Sequence, residues 1–546
     1  MRLWAMALFS GVLQVLPFPI AGPVPVWRTA ICWFALAPLL MALTADDATG
    51  GPLGPLDGAA LGYSSGFVWY LGNCYWIYPT MHHYGGIAKP ASFGILVLFC
   101  LYLGLYHALF GALIVRFRRS RIGVQGALLL SPFAWVAGEL ARSRITGFPW
   151  DLFGIAQVDN ALLTRLAPFT GVYGLTFAIA AINALWLVRI TLRDRRHTRT
   201  LLAAAGVIIV ALYVVLLRRA QPPVHEGTMA IATLLQENLA VGTESNVGPP
   251  LTTSESLQEF TRLSLYPEMS YCLGIPELPS AKCIQVIPVS PDKSPAPAPA
   301  DLIVWPEAPN DFFERTPEFR AAISNLAHTS GAAVIVGDLG ADPDPAAPNG
   351  YDLYNSANFV RPDGSFAGRY DKMHLVPFGE YTPYKRLFFF AGNLLQDVGL
   401  FEPGKRRVVF PVSGHTYGVF ICYESIFPDE IRQYSDLGAD VLVNISDDGW
   451  YGDTSAAWEH LNMVRMRAIE NHRWVLRATN TGVTASVDPY GRVVESAPRH
   501  SRTSLRVGFD YEHDVTFYAA HGDLFAYLCA LVTAAGLVFA WPRRAV

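Results

Sequence analysis

Charge is what this sequence has least of. Only 16% of its 546 residues are Asp, Glu, Lys or Arg, against the roughly 25% usual in soluble globular chains, so a wholly soluble fold is not expected. No long basic stripe, zinc-finger pattern or RNA-binding signature occurs, which removes nucleic acid from the expected partners. The net charge of -4 singles out no other class. Cysteine is also sparse, with seven residues at 32, 74, 100, 272, 283, 422 and 529. No two of them have CxxC spacing and no HExxH is present, so neither a metal site nor a cofactor is expected.

Hydrophobic residues are abundant, at 52%. Runs long enough to cross a bilayer core, about 20 helical residues, occur near 3–20, 27–45, 58–79, 91–116, 122–141, 160–190, 200–217 and 523–541. A signal peptide is the alternative for the first run alone, since seven more follow and no cleavage site is evident. Arg116 to Arg121, Arg193 to Arg196 and Arg543-Arg544 are the densest basic clusters. With the N-terminus inside, eight spans place all three in the cytoplasm, as the bias of basic loops requires; Arg218 and Arg219 are a mild exception.

The expected organisation is therefore a transmembrane bundle of about seven helices over 1–217, an extracytoplasmic α/β domain over 218–522, and a C-terminal span with a cytoplasmic tail over 523–546. The Pro- and Ser-rich stretch from about 240 to 300 reads as a long surface insertion or loop. Cys272 and Cys283 lie within it, and either a disulfide or two free thiols fits the sequence.

Three segments of the outer domain share one design, an apolar run ending abruptly in reactive side chains. Asp301 to Glu307 is a buried-type strand that Pro306 interrupts, turning Glu307 out of the ladder. Asn355 to Val360 and Ser365 to Tyr370 form a predicted hairpin around Pro362-Asp363-Gly364 and deliver Lys372, His374 and Glu380. Tyr417 to Ile421 is a strand that ends in Cys422-Tyr423-Glu424. Each residue alone fits an ordinary structural role: a strand-end carboxylate, a surface lysine, an inert buried thiol. Together they supply a nucleophile, a base and a cation.

Glu307 within Trp-Pro-Glu, Lys372 followed by Gly379-Glu380-Tyr381, and Cys422-Tyr423-Glu424 resemble the Glu–Lys–Cys constellation of the nitrilase superfamily. Asn444 to Asp453, His460, Arg465 to Ala468 and Arg477 to Gly482 resemble its membrane-anchored branch, the apolipoprotein N-acyltransferases, as does Gly147-Phe148-Pro149-Trp150. The family's seven spans before the catalytic domain and one after match the hydropathy reading. Gln236-Glu237-Asn238 departs from the family's Gln-Gly-Asn, and the Lys-Trp that usually follows is missing.

The resemblance implies a nitrilase-like αββα sandwich on a polytopic bundle in the bacterial inner membrane, with its catalytic domain on the periplasmic side. It implies Cys422 as acyl carrier, Glu307 as base and Lys372 as oxyanion partner, with Glu380, Tyr423 and Glu424 lining or supporting the pocket. The expected donor is a phosphatidylethanolamine-like phospholipid, the acceptor a diacylglyceryl lipoprotein, and the enzyme a monomer. The helix from Ala456 to Trp474 reads as core packing without chemistry. Trp150 and Phe388 to Phe390 read as loop aromatics that dip into the membrane interface or form a lid. The residues alone leave open a tethered amidase and, less readily, a membrane receptor or transporter subunit.

Overall fold

Apolar residues at helical spacing fold the first part of the chain into a bundle, and the alternating and continuous apolar runs beyond it fold into a sandwich. A computed structural model describes residues 1–47, 50–191, 229–239, 241, 252–266, 270–274, 282–285, 299–307, 312–347, 350–377, 379–381 and 401–540. The bundle contains α1 (Arg2–Val15), α2 (Pro55–Asn73), α3 (Lys89–Arg118), α4 (Gly123–Ala141) and α5 (Val172–Thr191). Among the described residues four segments are long and apolar enough to cross a membrane: Val26–Thr44, Lys89–Arg118, Gly123–Thr146 and Val172–Arg189. On α3, Leu98, Tyr102, Leu105 and Leu109 form an exposed apolar stripe at three- and four-residue spacing, a surface suited to hydrocarbon.

The expected spans need adjustment. Residues 27–45 fold as three short pieces, Val26–Thr29, Cys32–Ala35 and Ala37–Thr44. The 160–190 run is continuous helix only from Val172, because Gly171 takes φ 62° and breaks it from the short turns before. Arg2–Val15 is a shorter apolar helix, and the expected span at 200–217 lies outside the described residues.

Helices α2 and α3 pack backbone to backbone. Gly58, Gly62 and Gly66 recur every four residues on α2, and a Cβ added to Gly62 would lie 2.1 Å from the His107 carbonyl oxygen. A Cβ on Gly111 would lie equally close to the Gly58 carbonyl. Small residues at such spacing permit the close approach that drives helix association where the solvent is itself apolar.

Strands β1 (Ala230–Gln236), β2 (Ser270–Leu273), β3 (Lys282–Gln285), β4 (Leu302–Val304), β5 (Ala333–Pro343), β6 (Tyr351–Val360) and β7 (Phe366–Asp371) precede β8 (Val409–Val412), β9 (His415–Ile421), β10 (Val441–Ser446), β11 (Val475–Thr479), β12 (Ala485–Val487), β13 (Val493–Ser496) and β14 (Thr503–Phe509). They form a six-stranded sheet in the order β14-β1-β4-β5-β6-β7 and an eight-stranded sheet in the order β3-β2-β13-β12-β11-β10-β9-β8. Successive residues of a strand face opposite sides. Leu302, Val304, Ala333 and Ile335 accordingly meet the other sheet's Phe410, Tyr417 and Val419, while Ile303, Trp305, Val334 and Val336 pack under helices. Those are α6 (Thr253–Leu265) and α7 (Pro317–Ser330); α8 (Pro428–Asp436) and α9 (Ala456–Asn471) accompany the eight-stranded sheet, and α10 (Leu524–Phe539) returns to α4.

The 240–300 stretch is not simply a loop. Thr252 and Glu255 cap each other reciprocally at the start of α6, and Phe260 and Leu263 are buried beside Trp305 and Phe312. Such a Thr-x-x-Glu box starts a helix by satisfying two of its free N–H groups. Cys272 on β2 stands opposite Cys283 on β3, and Cys272 is disulfide-bonded.

Helix α9 joins the two parts of the molecule. The Glu470 carboxylate accepts the Val172 N–H at 2.8 Å and pairs with Arg467 at 2.7 Å, while Arg465 reaches Asp159 at 2.5 Å. Arg144, beyond the end of α4, bridges Asp429 at 2.9 Å and Asp523 at 2.5 Å. The glycine contact yields a test. Gly62→Ala forces overpacking at a backbone and should cost about 1–3 kcal/mol, read as a lowered thermal midpoint in detergent. Gly94→Ala, with nothing within 4 Å of the new methyl, should leave the midpoint in place.

Candidate active site

Lys372 is the centre around which the other side chains gather. It directly follows β7; its N–H donates to the Asn355 carbonyl and its own carbonyl accepts from Gly404, each at 2.8 Å. Gly404 is required there, because a Cβ would lie 2.0 Å from the Asp371 carbonyl. The ammonium is 1% exposed and lies 3.0 Å from Glu307 Oε1 and 2.9 Å from Glu380 Oε1. Burial alone would drive Lys372 towards the neutral amine, yet the two carboxylates outweigh it and hold its pKa well above the ordinary lysine value.

The carboxylates are held in turn. Asn355 Nδ2 lies 2.7 Å from both Glu307 Oε1 and Glu380 Oε1. Glu307 Oε2 accepts the Asp447 N–H at 2.8 Å, and Glu380 Oε2 accepts the Val376 N–H at 2.7 Å. Asn355 had no sequence signal beyond its place on a hairpin strand; only the fold sets it between two acids far apart in the chain.

Cys422 directly follows β9 on a sharp elbow with φ 47°, in the left-handed region. A non-glycine residue there is strained, and the elbow turns the side chain off the sheet. Its thiol pKa lies well above the ordinary value, first through burial, then through the charge of Glu307. Lys372 and the Ser446 hydroxyl act in the opposite direction. Burial and the neighbouring acids thus favour a neutral thiol beside the Lys372 ammonium.

Glu424 faces the backbone of the elbow. Oε1 accepts the Tyr370 hydroxyl at 2.6 Å and the Met373 and His374 N–H groups at 2.7 and 3.2 Å; Oε2 accepts the Ile421 N–H at 2.7 Å. It thus ties the Lys372 loop to the Cys422 elbow. Tyr423 is buried against Phe427 and His374, with its hydroxyl 3.5 Å from the Gly147 carbonyl. His374 itself lies 3.0 Å from Glu430.

A second buried cluster stands behind the elbow. His460 Nε2 donates to the Cys422 carbonyl at 3.0 Å, and Nδ1 lies 2.9 Å from Asp448 Oδ1. Asp448 also accepts from Ser446 at 2.9 Å and Arg477 at 2.6 Å, and Arg477 contacts Asn444. Burial would raise the Asp448 pKa, but Arg477 and His460 hold it far below the usual carboxylate range. Asp447 shows the reverse, pushed up to about 7 by burial despite Asn480 and the Gly449 N–H, with Glu307 and Asp448 repelling its charge. Glu237, at the position where the sequence departs from the family pattern, is fully buried, and burial followed by Asp447 raises its pKa. Trp150 is 1% exposed and stacks on His460 at 6.0 Å, so it faces the protein interior and not the membrane interface. Phe388 to Phe390 lie outside the described residues.

A two-sheet sandwich with Cys, Lys and Glu at its strand ends defines a carbon-nitrogen hydrolase-type catalytic domain joined to a helical membrane region. Sequence comparison agrees: residues 255–511 match the carbon-nitrogen hydrolase family and residues 10–185 the N-terminal domain of apolipoprotein N-acyltransferase. The apolipoprotein N-acyltransferase of Geobacter metallireducens is 31% identical, covering 100% of this chain and 96% of its own. That of Methylococcus capsulatus is 32% identical over 100% and 97%. The chain belongs to the apolipoprotein N-acyltransferase family. Among solved structures, an amidase from Nesterenkonia sp. aligns with 57% of this chain and 100% of its own, at 16% identity and a TM-score of 0.35.

The Asp448 cluster predicts a stability effect. Asp448→Asn leaves Arg477, at 0% exposure, without its carboxylate. Stability should fall by about 3–5 kcal/mol, the usual cost of breaking a buried pair from one side, measured by denaturant unfolding in detergent.

Proposed function

We propose that Cys422 carries an acyl group from a membrane phospholipid to the α-amine of a diacylglyceryl-cysteine at a lipoprotein N-terminus. The observation that carries this reading is the convergence of Lys372, Glu307 and Glu380 beside a buried thiol on a strained elbow. In the first half-reaction Cys422 Sγ attacks the ester carbonyl while its proton passes to Glu307. Lys372 and a backbone N–H near the elbow stabilise the oxyanion, a contribution of about 2.7–4 kcal/mol per donor. Collapse breaks the ester C–O bond, the departing alkoxide takes the proton from Glu307, and a lysophospholipid leaves an acyl-thioester. In the second half-reaction the lipoprotein amine gives a proton to Glu307 and attacks the thioester; the C–S bond breaks and the thiol recovers its proton.

Glu380 and Asn355 orient Lys372 and Glu307, and Glu424 fixes the loop and elbow to each other. No metal or cofactor enters this chemistry. The proposed domains are a bundle over 1–217, a catalytic domain over 218–522 that includes α6, and a C-terminal span with its tail over 523–546.

The proposed topology places about eight spans in the inner membrane of a monomer and the catalytic domain outside. Two features support it. Arg116 to Arg121 lie where α3 ends and α4 begins, while the far end of α4, about 28 Å away at 1.5 Å per residue, leads to Arg144 and its catalytic-domain partners. Disulfide-bonded Cys272 suits an oxidising compartment. Both lipid substrates are then confined to the leaflet beside the site.

A diacylglyceryl-cysteine lipopeptide incubated with the detergent-solubilised enzyme and phosphatidylethanolamine should gain the mass of one acyl chain on its α-amine. Cys422→Ala should abolish that gain. An unchanged lipopeptide and intact phospholipid with the wild-type enzyme would sink the acyltransferase reading, and ammonia release from small amides would replace it with an amidase.

A further inference from the structure

Two acidic side chains lie wholly out of water where the bundle meets the sandwich, and the chemistry above uses neither. Asp151 follows Trp150 on the turn beyond α4, with φ 46°. Glu459 sits on α9, one residue before His460. Both are 0% exposed. Asp151 Oδ2 accepts from Asn73 at 2.7 Å and Glu459 Oε2 accepts the Trp150 indole N–H at 2.7 Å. The second oxygen of each, Asp151 Oδ1 and Glu459 Oε1, has no hydrogen-bond partner. Arg142, the cation facing Asp151, donates from Nη1 to the carbonyls of Phe148 and Trp150.

Two neighbouring carboxylates in a dry site, each with an unpaired oxygen, cannot both hold charge cheaply. The pair sits one step from the reactive elbow: Trp150 binds Glu459 and stacks on His460, and His460 donates to the Cys422 carbonyl. We propose that Asp151 and Glu459 are positioning residues that act as neutral acids, seating the Trp150 turn on α9 and so holding His460 and the Cys422 elbow in reactive geometry. This rests on the reading of Cys422 as the acyl carrier.

The electrostatics agree. Burial pushes Asp151 up to about 7, opposed by the Asn73 hydrogen bond and by Arg142. Burial, then the charge of Asp151, raises Glu459 well above the carboxylate range, opposed by the Trp150 hydrogen bond. From the bundle, Cys74 also faces both acids. Because the folded pKa values are raised, the pair's contribution to stability is complete below the unfolded value near 4 and is lost as pH rises through the folded value. For Asp151 that window closes at about 7.

The test uses the full-length enzyme in detergent with phosphatidylethanolamine, following acyl-Cys422 by mass. Wild type is compared with Asp151→Asn, Glu459→Gln and the double variant. The amides keep the shape and the acceptor oxygens but cannot ionise. Between about pH 6 and pH 8.5, which brackets the value for Asp151, the ratio of double-variant to wild-type rate should rise about tenfold, the equivalent of 1.4 kcal/mol. The wild-type thermal midpoint should fall over that range relative to the double variant. Ratios and midpoint differences independent of pH would overturn the proposal. If wild type forms no acyl-Cys422 at any pH, the nucleophile reading fails instead, and the midpoint difference alone then decides whether the pair is held neutral.

Discussion

An ammonium withdrawn from water and shared between two carboxylates is the constraint on which the site depends. Lys372, Glu307 and Glu380 carry one positive and two negative charges, so the cluster keeps an excess negative charge. Among the described residues, hydrogen bonds stabilise that excess: Asn355 reaches both carboxylates, and the Asp447 and Val376 N–H groups each reach one. A carboxylate so placed can accept a proton, while Lys372, bound to both, stays a cation. Burial first, and then the charge of Glu307, raises the Cys422 thiol against the opposing pull of Lys372. Under the acyl-transfer reading, the sulfur therefore rests as a neutral thiol beside the Lys372 ammonium.

Each member of that cluster is delivered by a different part of the sandwich. Glu307 leaves the six-stranded sheet after β4, Lys372 follows β7 of the same sheet, and Cys422 follows β9 of the other. Parallel pairing of β9 with β10 and β11 brings Asn444, Ser446 and Arg477 to the same end. The site is thus the place where two sheets present strand ends to each other, and its precision depends on how the sheets are clamped. Glu424 is such a clamp, because its four hydrogen bonds join the last residue of β9 to the loop after β7.

The strand ends that carry Glu307, Lys372 and Cys422 were legible in the sequence, because abrupt changes from apolar to polar are local features. It also revealed most helical segments, since they are long and apolar. Three things were not legible. Asn355 lies on an ordinary hairpin strand, and its role comes from packing across the chain. Helix α6 was hidden in a Pro- and Ser-rich stretch, although Thr252 and Glu255 marked its start. Trp150 looked like an interfacial aromatic because loop position and residue type cannot distinguish a ring facing lipid from one facing protein. Its environment is set by Glu459 and His460, some three hundred residues later in the chain.

Helix α9 shows why bundle and sandwich should be considered as one catalytic body. A helix serving only the sheet beneath it would bury one apolar stripe. This one instead buries Glu459, His460, Arg465, Arg467 and Glu470. Four of these reach outward to Trp150, Asp159 and the Val172 N–H or pair with a residue that does, and the fifth, His460, reaches inward to the Cys422 carbonyl. Buried charges are retained where their partners are fixed, and here the partners on one side belong to the bundle. The strained φ of Cys422 must be held by its surroundings, and part of those surroundings is attached to the bundle. Under the acyl-transfer reading, the elbow is thereby referenced to the helices beside which both lipid substrates would lie, an arrangement a freely soluble hydrolase would not need.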